Sequence, residues 1–181
     1  MIPMYEKTTK SVRKYTGRIV SVDLLEVRLA DGRKAVREIV RHGGAIAALC
    51  RLKDGRFVFV EQFRKPAEKT ILEVVAGGLE QGERPLECAK REVREETGYL
   101  VDKAERMGAI YLAPGYSTEK IHIYFCSLHG KKGRTDPDED EVLNVKYLNR
   151  NQIEKLIAAG RIEDSKTLAA WAMYNARIKD A

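Results

Sequence analysis

Residues 77–99 read GGLEQGERPLECAKREVREETGY, and the run Arg91-Glu92-Val93-Arg94-Glu95-Glu96-Thr97-Gly98 within them decides what the chain is built around. Glu92, Glu95 and Glu96 stand at i, i+3 and i+4, so on a helix they share one face. Carboxylates gathered in this way repel one another unless a cation lies between them. Hard oxygen ligands at that spacing suit Mg²⁺ or Mn²⁺, which takes one or two carboxylates and leaves other positions to waters and substrate phosphates. The segment predicts a metal platform for diphosphate chemistry.

The helix is well marked. Pro85 stands near its start, where a missing N–H costs nothing, and Gly98 follows the last turn, the usual place for a left-handed cap. Leu86, Ala89, Val93 and Thr97 form an inward stripe at helical spacing. Before the helix, Gly77, Gly78 and Gly82 give a loop that can turn sharply or approach a ligand closely. The lysine of a phosphate-cradling loop is absent, so an anion there is held through the metal. A plain solvated helix, with Lys90, Arg91 and Arg94 neutralising the glutamates, accounts for the charges but not for the glycine spacing.

The stretch resembles the Nudix box, G-x5-E-x7-R-E-U-x-E-E-x-G-U, where U is a bulky apolar residue. Gly77, Glu83, Arg91, Glu92, Val93, Glu95, Glu96 and Gly98 stand at its positions, and Tyr99 fills the last with an aromatic ring. The resemblance implies an α+β fold, a Nudix-like α/β/α sandwich around a mixed central sheet, with the box helix against the sheet edge and an N-terminal β-hairpin extension. It implies Glu92 and Glu96 as chief metal ligands, Glu95 contributing directly or through another ion and water, and the Ala76 carbonyl as the backbone ligand. Arg91 and Glu83 are expected to pair and hold the loop against the helix.

Outside the box, residues 36–42 (VREIVRH), 61–64 (EQFR), 72–77 (LEVVAG), 113–119 (APGYSTE) and 164–168 (DSKTL) resemble the ADP-ribose pyrophosphatase branch of this family. Pro114 lies sixteen residues beyond Gly98, the spacing associated there with ADP-ribose hydrolysis. The resemblance implies metal-dependent cleavage of the diphosphate of ADP-ribose to AMP and ribose 5-phosphate, with a carboxylate taking the proton of the attacking water. The base is Glu139 or Glu141, in the charged run from 131 to 141, and sequence does not choose between them. Arg64 is the candidate for a phosphate, since its planar fork suits oxyanions. Glu73 either accepts hydrogen bonds from base or ribose or caps the metal loop. Arg37 and Glu38 are expected to complete the nucleoside pocket of a neighbouring subunit, and Phe63 or Tyr116 to stack on the base. Each has a plain counterpart: an ordinary turn at Pro114-Gly115, a solvated arginine, an exposed strand pair, an acidic loop tip. Branches cleaving GDP-mannose or another nucleoside diphosphate sugar share much of the pattern. A sensor that binds ADP-ribose without cleaving it, and a hydrolase for capped RNA or dinucleoside polyphosphates, are the remaining alternatives.

The chain as a whole sets the frame. Its 181 residues, 44% hydrophobic and 33% charged, suit one globular unit with a real core. We expect strands at 17–29 and 35–41 around Asp31-Gly32, 45–52 and 57–63 around Asp54-Gly55, and 71–75. Further strands are expected at 104–112, 120–127 and 142–148, and helices at 149–159 and 165–178. Residues 1–41 form N-terminal strands expected to serve dimerisation and the substrate pocket, and 42–181 the hydrolase domain. A homodimer is implied by the resemblance. No apolar run is long enough for a membrane, and the N-terminus lacks a secretory segment. Cys50, Cys88 and Cys126, odd in number and without CxxC spacing, indicate reduced thiols in a cytoplasm. The net charge of +6 is spread along the chain with no basic-aromatic block, so a small polyanionic substrate fits better than nucleic acid.

Overall fold

The computed structural model of the chain describes residues 4–129, 133, 135 and 142–179. Contacts divide it into two compact units, Met1–Gly44 with Tyr111–Lys120, and Ala45–Ile110 with Ile121–Ala181.

The first unit is an antiparallel meander of β1 (Glu6–Thr16), β2 (Val20–Leu29) and β3 (Lys34–His42). Alternation in β2 buries Asp23, Leu25 and Val27 on one face. The turn at Asp31-Gly32 forms as expected: Gly32 has φ 88° and donates its N–H to the Leu29 carbonyl at 3.0 Å. The strand β1 was not expected, and the reason is visible. Ten of its eleven residues are exposed, so it carries no apolar alternation to read. Its ladder with β2, and charge pairs across the sheet, hold it instead. Buried Asp23 accepts from Arg13 and, at 2.9 Å, from Arg41. Those two bonds, Arg13 first, hold its carboxyl below the usual aspartate range. The segment carrying Pro114 turns at Ala113, whose carbonyl accepts the Tyr116 and Ser117 N–H groups. It then pairs with β3 through Val40 N–H to Tyr116 O (2.8 Å) and Thr118 N–H to Val40 O (3.0 Å).

The second unit holds a mixed sheet, seven strands among the described residues. Its members are β4 (Ala45–Arg51), β5 (Phe57–Arg64), β6 (Lys69–Glu73), β7 (Val75–Gly78), β8 (Leu100–Tyr111), β9 (Lys120–His129) and β10 (Leu143–Leu148). The helices are α1 (Pro85–Thr97), α2 (Arg150–Ala158) and α3 (Ser165–Lys179). The main path runs β10-β5-β4-β9-β8, with β4 and β9 parallel. β4 and β5 touch only at Cys50–Val58 and Arg51–Phe57 and then diverge. Into this fork run β6, paired with β5, and β7, paired with β4. The single strand expected at 71–75 is thus two short strands that change partner at Val74.

Because β4 lies in mid-sheet, both of its faces are buried. Ala45, Ala47 and Leu49 join Phe57, Phe59, Ile153, Trp171 and Tyr174 under α2 and α3. Ile46, Ala48 and Cys50 join Val75, Cys88, Ala89 and Val93 under α1. The expected α/β/α layering follows. The box helix, however, packs on the face of the sheet over β7 and β4 and not against its edge. The apolar row Ile46–Ala48–Cys50 gives the helix its buried seat there. Trp171 and Tyr174 meet Phe57 edge-on at 5.1 and 5.4 Å, and burial of each such ring contributes about 1.5–3 kcal/mol. The strand β8 begins at Leu100, four residues before the expected start.

Candidate active site

The helix α1 opens on Pro85 and closes at Gly98, whose φ of 74° and N–H to the Arg94 carbonyl (2.8 Å) make a left-handed cap. The loop before it folds on itself. Gly82 has φ 80°, Glu83 N–H donates to the Glu80 carbonyl at 3.0 Å, and Glu80 N–H donates to Glu83 Oε2 at 3.1 Å.

One guanidinium ties this loop to the helix. Arg91 Nε and Nη2 donate to the two oxygens of Glu83 at 2.9 and 3.0 Å, the expected pairing. Its Nη2 also donates to the Gly78 carbonyl at 3.2 Å. Its Nη1 bridges Glu92 Oε1 at 2.7 Å and Glu95 Oε2 at 3.0 Å. The hydrogen bonds from Arg91 pull the Glu83 carboxyl from about 4.5 to about 2, against burial. Arg91 in turn is driven still higher, chiefly by its bond to Glu83. Burial, then the charge of Glu83, pushes the Cys88 thiol up to about 12, so it stays protonated and donates to the Gly78 carbonyl at 3.4 Å.

The first box glycine has a specific reason. A Cβ on Gly77 would lie 1.9 Å from Glu92 Oε1, so the Glu92 carboxylate occupies the space a side chain would need. Glu92 is thereby held against the strand end that carries Ala76, while Glu96, 5% exposed, is buried in the helix–sheet seam. The close approach that Gly77 permits is to Glu92 and not to a ligand. Among the described residues no three His, Cys, Asp or Glu side chains already form a ligand cluster. Arg91 lies between Glu92 and Glu95 and supplies the positive charge there. The all-oxygen donor set of Glu92, Glu95, Glu96 and the Ala76 carbonyl, with Glu92 seated on Gly77, fits a hard divalent cation.

The other expected residues fall into groups. Arg64, at the end of β5, forms a fork with Glu73 of β6, Nε to Oε1 and Nη2 to Oε2, both 2.8 Å. Burial would raise the Glu73 carboxyl, but Arg64 and Lys166 outweigh it and hold Glu73 below its ordinary range. Lys166 was not assigned a role from sequence. The only signal available was the DSKTL run itself, which holds its partner Asp164, because its other partner, Glu73, lies ninety-three residues away. In the first unit, Arg37 of β3 reaches Glu6 of β1 with Nε and Nη2 at 3.0 and 2.5 Å. Glu38 is exposed opposite Leu24, and Pro114 is exposed in its turn. Phe63 and Tyr116 are exposed as well. Glu139 and Glu141 lie outside the described residues.

Two outcomes test this geometry. Gly77→Ala displaces the flexible Glu92 carboxylate and not the backbone. It should therefore weaken Mn²⁺ binding about 10- to 100-fold by titration calorimetry while the thermal midpoint stays within a few degrees; unaltered Mn²⁺ affinity contradicts the seat. Glu83 has a depressed folded-state pKa, so its stabilisation is full above about 4.5 and fades as pH falls toward about 2. Urea midpoints measured down that range should converge for wild type and Glu83→Gln. A gap constant with pH would mean that Glu83 acts other than through its charge.

The family model for the NUDIX domain matches residues 40–171. The chain is 36% identical over 182 residues to an ADP-ribose pyrophosphatase of Bacillus subtilis (strain 168), covering 100% of this chain and 97% of that one. It is 40% identical to a methanol dehydrogenase activator of Bacillus methanolicus, over 91% of this chain and 90% of that one. A GDP-mannose pyrophosphatase of Yersinia enterocolitica serotype O:8 is 37% identical, over 74% of each. Among solved structures, the crystal structure of an ADP compounds hydrolase superposes with a TM-score of 0.83 over 97% of this chain and 95% of that one, at 19% identity, which supports the shared fold. With the box geometry in place and the family model spanning most of its length, the chain belongs to the Nudix hydrolase family, whose members generally need a divalent metal ion.

Proposed function

We propose that the chain hydrolyses the diphosphate bond of ADP-ribose to AMP and ribose 5-phosphate. The observation that carries this reading is the full-length similarity to the Bacillus subtilis ADP-ribose pyrophosphatase, joined to a box whose three carboxylates are all present. Mg²⁺ or Mn²⁺ would be held by Glu92 and Glu96, with Glu95 and the Ala76 carbonyl. When bound, such an ion lowers the pKa of a water and neutralises charge developing on the phosphates. Arg91 holds Glu92 and Glu95 aligned as ligands. Arg64, its plane set by Glu73, binds a phosphate. Glu139 or Glu141 takes the proton from the attacking water. Arg37 and Glu38 complete the nucleoside pocket of a neighbouring subunit, and Pro114 is a further substrate-binding candidate.

A second reading has support of its own: similarity to the Yersinia GDP-mannose pyrophosphatase over 74% of the chain favours another nucleoside diphosphate sugar. A sensor without turnover is disfavoured by the intact carboxylate set. We assign the working form as a cytoplasmic homodimer built through residues 1–41, with no nucleic acid or membrane partner. Exposed Met4, Tyr5, Tyr15, Ile19 and Val36 support the dimer, and three buried, free cysteines suit a reducing compartment. Among the described residues no helix is long and apolar enough to cross a membrane.

Product analysis with Mg²⁺ against ADP-ribose, GDP-mannose and a dinucleoside polyphosphate should show fastest release of AMP and ribose 5-phosphate. Glu96→Gln should cut that turnover about 1,000-fold with the fold retained. Preference for GDP-mannose would replace the substrate, and tight ADP-ribose binding without turnover would establish the sensor. Sedimentation at micromolar concentration should give twice the 20.5 kDa chain mass; a monomer at that concentration removes the dimer.

A further inference from the structure

A charged cluster lies inside the second unit: Glu73 is 2% exposed, Lys166 8% and Thr167 0%. Buried charges persist only when paired and hydrogen-bonded. Here the pairing forms a chain. The Arg64 fork takes both oxygens of Glu73, and Lys166 Nζ also donates to Glu73 Oε2. Lys166 Nζ also donates to Asp164 Oδ1 at 2.9 Å. Asp164 Oδ2 accepts the Thr167 N–H at 2.9 Å and the Thr167 hydroxyl at 2.5 Å, capping the start of α3. The Thr167 hydroxyl accepts the N–H of Val74, the residue at which the chain leaves β5 for β4.

The charges have a consequence for Arg64. A carboxylate paired with Arg64 alone would cancel most of the positive field that the guanidinium offers a phosphate. Lys166 takes up the charge of Glu73, and Asp164, which balances Lys166, sits at the positive end of the α3 dipole. The Arg64 fork is therefore fixed in plane by Glu73 without surrendering its charge to it. We propose that Lys166 is a positioning residue that sets the charge and orientation of Arg64 toward a substrate phosphate. The inference rests on the phosphate-binding role given to Arg64 above.

The test is a double-mutant cycle on the full chain with Arg64→Met and Lys166→Met, and with Lys166→Arg as the conservative variant. KM and kcat for ADP-ribose are measured with Mg²⁺, and Kd for inorganic pyrophosphate by calorimetry. Lys166→Met should raise both KM and the pyrophosphate Kd about ten-fold with a smaller change in kcat. Lys166→Arg should recover most of that loss, and Lys166→Met should add nothing in the Arg64→Met background. Equal effects in both backgrounds, or no rescue by arginine, overturn the proposal and leave Lys166 a structural residue. Should Lys166→Met not fold, Lys166→Gln enters the same cycle, since it keeps a donor to Glu73 without the charge. The pyrophosphate arm stands apart from substrate identity. Absent turnover of ADP-ribose overturns the functional reading alone, whereas an unchanged pyrophosphate Kd in Arg64→Met overturns the phosphate role and the inference with it.

Discussion

The site depends on one guanidinium. Two carboxylates about 4 Å apart repel by about 4 kcal/mol at an effective dielectric near 20, and the box helix places several on adjoining turns. Arg91 answers that repulsion from within the helix, reaching Glu92 and Glu95 with one nitrogen and Glu83 with the other two. The same group fastens the glycine loop through Glu83 and the Gly78 carbonyl. Loop position and ligand charge are therefore set by a single side chain, and a lysine, with a point charge and no planar fork, could not make this set of contacts.

The sheet supplies the other half of the design. Where β4 and β5 part, the chain crosses the fork at Val74 and brings Ala76 and Gly77 beside α1. The crossing is costly for the backbone, since an N–H that changes ladders belongs to neither. Thr167 accepts it in a fully buried setting, so docking of α3 spares the fork the roughly 1–3 kcal/mol cost of an unsatisfied buried N–H.

The parts of this arrangement legible in the sequence are those with local signals. The box helix announced itself through Pro85, Gly98 and its apolar stripe. The hairpin turns at Asp31-Gly32 and Asp54-Gly55 did so through glycines that adopt φ 88°. Elements with no local signal stayed hidden. β1 is exposed along nearly all its length, so alternation had nothing to mark. The β6–β7 break contains no turn residue, only Val74 between Glu73 and Val75. Placement of α1 on the sheet face depends on the apolar row that β4 turns toward it, a tertiary match that no helical pattern encodes. The pairing of Glu73 with Lys166 is hidden for a related reason: it spans ninety-three residues, and no local pattern joins the two.

That long span bears on how the protein comes into being. Val74 finds its partner in Thr167, and Glu73, already forked by Arg64, finds its second in Lys166, so the strand leading to the Ala76 carbonyl lacks its last anchor until that part of the chain has left the ribosome. Closing so distant a contact is entropically slow, and it comes after the local hairpins and the box helix can form. A nascent chain therefore carries the acidic helix before it carries a finished site, and competence arrives in one late step, when α3 docks.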